Sequence, residues 1–217
     1  MGTIFNLDSP VWSFMGKVAD LVILNIIAII CSIPIFTIGA TWTAVYFVTI
    51  RIVRKEEGYV IRDFFRSFKE NFKQATIIWI LALIIGAIIL VDILIYRVMP
   101  DKMPQIVMIV VSIFAFLMLG TTAYVFPLLS RFHNTIKNTI KNAFILSIAN
   151  VPYTILFIVL LILPFVLLDF LIEAVPLIFA LGFSLPAYIS SMMFVRIFRK
   201  LEPSLEREMD EEVGMEE

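Results

Sequence analysis

From Val18 to Ile50 the chain runs 33 residues with a single charge, Asp20, near its start. As one helix rising 1.5 Å per residue, this run would be about 50 Å long, too long for a hydrocarbon layer about 30 Å thick. Its middle, Ser32-Ile-Pro-Ile-Phe-Thr-Ile-Gly39, holds the two residue types that interrupt helices. We read two helices, about 18–35 and 38–54, joined by a tight turn. The other reading is one helix followed by a re-entrant segment.

The remaining apolar runs are easier to delimit. Residues 75–96 and 104–130 flank the polar turn Arg97-Val-Met-Pro-Asp-Lys102, and residues 143–169 and 174–195 flank a turn around Glu173. The expected fold is therefore all-α: a transmembrane bundle of about six spans in three hairpins. Composition agrees, with 61% hydrophobic and 16% charged residues and a mean hydropathy of +0.99, where soluble domains carry about a quarter charged residues. A soluble enzyme, a disordered chain and a nucleic-acid binder do not fit. The bilayer is the expected partner.

Lys and Arg placement sets an expected orientation. Fifteen of the 17 basic residues precede or follow the hairpins, and only Arg97 and Lys102 sit at a hairpin tip. A multi-pass protein of a bacterial cell membrane with both termini cytoplasmic is expected. No basic stretch or small-residue cleavage motif marks a signal peptide at the N-terminus. Residues 203–217 hold seven acidic side chains and Arg207, which reads as a disordered acidic tail. Without them the body carries 16 basic and 11 acidic groups.

The two long connections on the basic side repeat at an offset of 68. Phe64-Phe-Arg-Ser-Phe68-Lys69-Glu-Asn-Phe72-Lys73-Gln-Ala75 aligns with Phe132-His-Asn-Thr-Ile136-Lys137-Asn-Thr-Ile140-Lys141-Asn-Ala143. Trp12, Lys17 and Ala19 suggest a fainter first copy. At 100° per residue, Ile61, Phe64, Phe65, Phe68 and Phe72 share one face, with Arg62, Arg66, Lys69 and Lys73 beside it. Such a helix suits the headgroup layer, aromatics down and cations toward anionic lipid. It anchors the bundle or presents a docking surface, to which Phe64, Phe65, Phe68, Lys69, Phe72, Lys73, Lys137 and Lys141 would contribute.

Polar groups at bilayer depth are costly, so Asn25, Asp92 and Asn150 are candidate intramembrane residues. Asn25 reads as a bond to a neighbouring helix or as a ligand contact. Asn150 with Pro152 reads as a bend. Together the three could line a solute path. One cysteine (Cys31) and one histidine (His133) leave no zinc ligand set and no Cys–His pair, and no phosphate-binding loop is present. No catalytic residue, metal or cofactor is expected, so the chain does not read as an enzyme.

Leu24-Asn25, Ser32-Ile-Pro34, Thr37-Ile-Gly-Ala40, Thr43-Ala44, Phe64-Phe65, Phe68-Lys69-x-Asn71-Phe72-Lys73-Gln74-Ala75 and Trp79 together resemble the YesL-type family of small bacterial membrane proteins. The strongest likeness lies in residues 5–80, and after about residue 145 only the hydrophobic pattern persists. That family is a domain of unknown function, commonly encoded beside carbohydrate ABC-importer components and glycoside-degrading enzymes. The resemblance implies an accessory membrane protein that associates with an importer permease or its ATPase. An independent small-solute transporter or channel, and a membrane assembly factor or sensor, are the other readings.

Overall fold

The computed structural model describes residues 10–98, 104–132, 134–170 and 175–214. Eight α-helices follow one another: α1 (Pro10–Ser32), α2 (Ile38–Arg54), α3 (Val60–Val98), α4 (Gln105–Arg131), α5 (Ile136–Ala149), α6 (Val151–Phe170), α7 (Val175–Leu181) and α8 (Ser184–Gly214). Four helical stretches are long and apolar enough to cross a membrane, or up to six if each bent pair forms one span. The all-α, multi-pass reading holds, and several particulars differ.

The first difference is α3. The basic segment at 60–74 is not a separate helix in the interface but the first four turns of one unbroken 39-residue helix. Nothing between Lys73 and Ile77 ends a helix, since neither proline nor glycine intervenes. Its aromatic face mostly packs inside the protein. Phe64 is fully buried and Phe68 and Phe72 are half-buried, while Ile61 and Phe65 stay exposed. Along this face Phe64 stacks on Phe68 at 6.0 Å, and Phe68 meets Phe72 at a tilt at 5.5 Å.

Helix α2 runs antiparallel to α3 in tight register. Lys55, at φ 58°, ends α2 in the left-handed conformation and turns the chain toward α3. Arg51 Nη1 donates to Asp63 Oδ2 at 2.7 Å at one end of the pair. At the other end, a Cβ on Gly39 would stand 2.6 Å from the Ala75 carbonyl oxygen and 2.7 Å from Trp79 Cβ. Only a glycine permits that approach. Beyond it, Trp79 Nε1 donates to the Ile35 carbonyl at 2.8 Å, joining α3 to the 3-10 turn Ile35–Thr37 at the hairpin tip.

This register determines depth. Arg62, Arg66, Lys69, Glu70 and Lys73 are exposed on α3, and Arg or Lys at mid-bilayer costs about 2.5–3.5 kcal/mol each on insertion scales. The part of α3 suited to hydrocarbon therefore starts near Ala75 and runs about 35 Å to Val98, long enough for a bilayer span. The tip of the first hairpin lies level with Trp79, and the α3–α4 hairpin continues about 28 Å past it. Trp79 and Phe126, with rings 6.2 Å apart, mark the same level on α3 and α4. The first two hairpins are thus unequal in reach.

Two expected spans are broken. Residues 143–169 divide into α5 and α6, bent by 108°. Asn150 leaves the helical conformation (φ −127°, ψ 47°) and ends α5 at Ala149, and Pro152 falls in the first turn of α6, where its missing amide hydrogen costs no helix bond. Thr154 Oγ1 donates to the Ser147 carbonyl at 2.7 Å across this corner, and Gly120 of α4 sits against Thr154 and Ser147. Residues 174–195 likewise divide into α7 and α8, bent by 47°. Helix α8 continues to Gly214, so the tail expected to be disordered has helical backbone to that point.

The repeated segments share a burial pattern despite their different continuations. Phe64 and Phe132, Asn71 and Thr139, and Ala75 and Ala143 are buried in pairs, while Lys69 and Lys137, and Lys73 and Lys141, are exposed. The side chain of Trp12, the tip residues 99–103, His133, Glu173 and the side chain of Asp169 lie outside the described residues.

The α7–α8 break is held by Asn25 of α1. Its Nδ2 donates to the carbonyls of Ile178 (3.1 Å) and Phe179 (2.7 Å), and its Oδ1 accepts from the amides of Phe183 (2.8 Å) and Ser184 (3.0 Å). Asn25→Leu strands these buried groups and should lower unfolding free energy by about 2–4 kcal/mol, measured by denaturant titration in mixed micelles.

Candidate functional site

Two places gather chemistry-bearing side chains, and the first is a cavity. At the level of the first hairpin's tip, a cavity of about 430 Å³ opens among α1, α2, α3, α4, α6 and α8. Six rings stand in its walls: Trp42, Tyr46, Trp79, Phe126, Phe157 and Phe183. Several elements place them, so their spacing in the chain gives no motif. Trp42 meets Phe183 edge-on at 6.0 Å, and Tyr46 meets Phe194 edge-on at 5.7 Å. Behind them Phe157 and Phe194 stack at 4.3 Å.

Besides the Tyr46 phenol, four serine and threonine hydroxyls interrupt the apolar wall: Ser32, Thr41, Thr122 and Ser190. Ser190 donates to the Pro186 carbonyl and Thr122 to that of Met118. Thr41 differs, since it is 2% exposed and its Oγ1 has no hydrogen-bond partner among the described residues. A buried hydroxyl without a partner carries a desolvation cost that a ligand could offset. Among the described residues no charged side chain lines this cavity, so it suits a neutral, mainly apolar molecule with one hydrogen-bonding group.

The second place is the basic end of the α2–α3 pair. Asp63 is buried and receives Arg51 at 2.7 Å and Arg66 at 3.4 Å. Arg51 also reaches Glu56 at 3.3 Å and donates to the Glu57 carbonyl. Both guanidinium groups lie over the Phe47 ring, at 5.8 and 5.3 Å from its centre. Arg51, Arg66 and Arg131 line one small cavity here of about 190 Å³, while Arg51 with Lys17, Asp20, Lys55 and Asp63 lines another of about 410 Å³. Asp63 is what sequence reasoning missed, because an acid 12 residues from its arginine follows no helical spacing.

The expected intramembrane residues do not converge. Asn25 is consumed by the α7–α8 break, and Asn150 sits at the α5–α6 corner, donating to the Leu146 carbonyl at 3.2 Å. Asp92 is half-buried on the far half of α3. None of the three lines the aromatic cavity. The docking residues separate as well. Lys69 and Lys73 are exposed on α3, whereas Lys137 and Lys141 stand on α5 beside an apolar groove. Phe64 is interior, and Phe65, Lys69 and Lys73 remain available to a partner.

These features define an all-α, multi-pass protein of the membrane type. Residues 21–93 match the family described as "Protein of unknown function, DUF624". The chain is also similar to the uncharacterized protein YteU of Bacillus subtilis (strain 168), 31% identical over 137 residues, which is 62% of this chain and 61% of that protein. The match thus spans about three fifths of the relative's length. No solved structure matches.

The Asp63 cluster makes an energetic prediction. Asp63→Asn leaves Arg51, itself largely covered, without its short partner and should cost about 2–4 kcal/mol. Arg66→Gln removes a longer contact from a side chain that is 47% exposed and should cost under about 1 kcal/mol. Thermal unfolding of both variants in the same detergent checks the order.

Proposed function

We propose that the chain is an accessory membrane protein of carbohydrate uptake, with its basic end cytoplasmic and docked on an importer permease or ATPase. The observation that carries this reading is the row of cations on α3, Arg62, Arg66, Lys69 and Lys73, exposed on a rigid helix whose opposite face is committed to packing. Cations held on a fixed scaffold favour an acidic partner surface and its rapid encounter. The YesL-type resemblance supplies the importer as the partner class. In this reading the protein performs no chemistry of its own and needs no cofactor, and it resides in the bacterial cell membrane with both termini inside.

Affinity purification from native membranes in mild detergent, followed by mass spectrometry, tests it. Wild-type protein should retain a permease or ATPase subunit. Lys69→Glu with Lys73→Glu should reduce that recovery about tenfold at equal membrane abundance, since both side chains are exposed. A tagged protein that retains no importer subunit contradicts the reading.

The aromatic cavity favours a second reading, a carrier or sensor for a small neutral solute. Thr41→Val and Ala123→Trp, both in its wall, should then change solute flux or binding in liposomes. Asp92→Asn should leave it unchanged, because Asp92 lies away from the cavity.

A further inference from the structure

A groove of about 500 Å³ runs between α3, α4 and α5. Its floor is Ile78, Leu81, Ile85, Leu117 and Met118, with Phe114 and Phe144 at its sides. On α3 these residues occupy the first three turns beyond Ala75, where the exposed charges end and hydrocarbon begins. Lys137 and Lys141 of α5 line the same groove. Their depth is fixed independently, because Gln74 Nε2 donates to the Asn134 carbonyl at 3.3 Å and ties the start of α5 to the headgroup end of the span.

The two lysines lie one turn apart, both exposed, and among the described residues neither has an ion-pair partner. Among the described residues no carboxylate lines the groove. An apolar channel open to the acyl layer, with two unpaired cations at headgroup depth, matches one kind of molecule end to end. Water would leave the channel wall unsatisfied, and a soluble anion would leave it empty.

We infer that this groove is a binding site for an anionic phospholipid, its phosphate held by Lys137 and Lys141 and one acyl chain laid along Ile78, Leu81, Ile85 and Leu117. Basic pockets between spanning helices recognise lipid headgroups in this way. The site also accounts for the repeat. Lys137 and Lys141 occupy the positions of Lys69 and Lys73, but α5 turns away at Asn150 where α3 continues. The second copy of the cation pair therefore faces a lipid channel, while the first faces outward from the α2–α3 pair.

Native mass spectrometry of the detergent-solubilised full chain, with added phosphatidylglycerol or phosphatidylethanolamine, tests the site. Wild-type protein should keep phosphatidylglycerol adducts at least fivefold more abundant than phosphatidylethanolamine adducts. Lys137→Gln with Lys141→Gln should abolish that preference, and Ala82→Phe, which fills the groove wall, should reduce both adducts. Arg196→Gln with Arg199→Gln, which removes two exposed cations on α8, should leave the preference intact. Excess inorganic phosphate should not displace the lipid. Equal binding of the two lipids, an unchanged preference in the double lysine variant, or displacement by phosphate would each overturn the proposal. The lysine pair is exposed, so its variant should keep the wild-type melting temperature and its result stands even if Ala82→Phe fails to fold.

Discussion

The antiparallel clasp of α2 on α3 governs the rest of the molecule. One end is electrostatic, Arg51 on buried Asp63 at 2.7 Å. The other is steric, Gly39 against the Ala75 backbone and Trp79. Between these ends the two helices cannot slide, because a shift of one turn would unpair a buried carboxylate and drive another side chain into the Ala75 carbonyl. Since the exposed charges of α3 are excluded from hydrocarbon, everything tied to α2 inherits a depth. That includes α8, whose Ser191 hydroxyl bonds Thr49 at 2.7 Å, and through α8 the Asn25-bridged break.

Depth then explains where the chemistry sits. The aromatic cavity forms where the first hairpin's tip meets α3, α4, α6 and α8, at the boundary between the charged layer and the acyl layer. Rings suit that boundary because they are apolar in the face and tolerate polar neighbours at the edge. The lipid groove begins at the same level on the other side of α3. Beyond it, α3 and α4 carry mostly exposed aliphatic side chains to their tip, a surface that only lipid or another apolar protein can cover.

What could be read from the sequence follows from what a linear pattern encodes. Hydropathy marks apolar runs, and Pro34, Gly39 and Pro152 mark interruptions, so the tight first turn and the bend at Asn150 were both legible. The unbroken course of α3 was not. Its change from amphipathic to apolar at Ala75 resembles a boundary between two helices, yet a change of face costs a helix nothing when no residue breaks its hydrogen bonds. The candidate sites divide along the same line. Exposed Lys69, Lys73, Lys137 and Lys141 follow from helical periodicity, whereas the cavity draws on Trp42, Trp79, Phe126, Phe157 and Phe183 from separate helices. Asn25 announced itself as an intramembrane amide, but its role depends on a break 150 residues away that no local signal ties to it.

The central claim is that α3 is one continuous helix carrying both the charged layer and the span. A distance measured by pulsed electron resonance between spin labels at Arg62 and Tyr96, in the protein reconstituted into lipid, tests it most directly. A continuous helix puts their backbones about 51 Å apart. A segment that lay flat in the interface and turned upward at Ala75 would bring them to about 37 Å. The account predicts a single narrow distribution near the longer distance, and a distribution centred near the shorter one would contradict it.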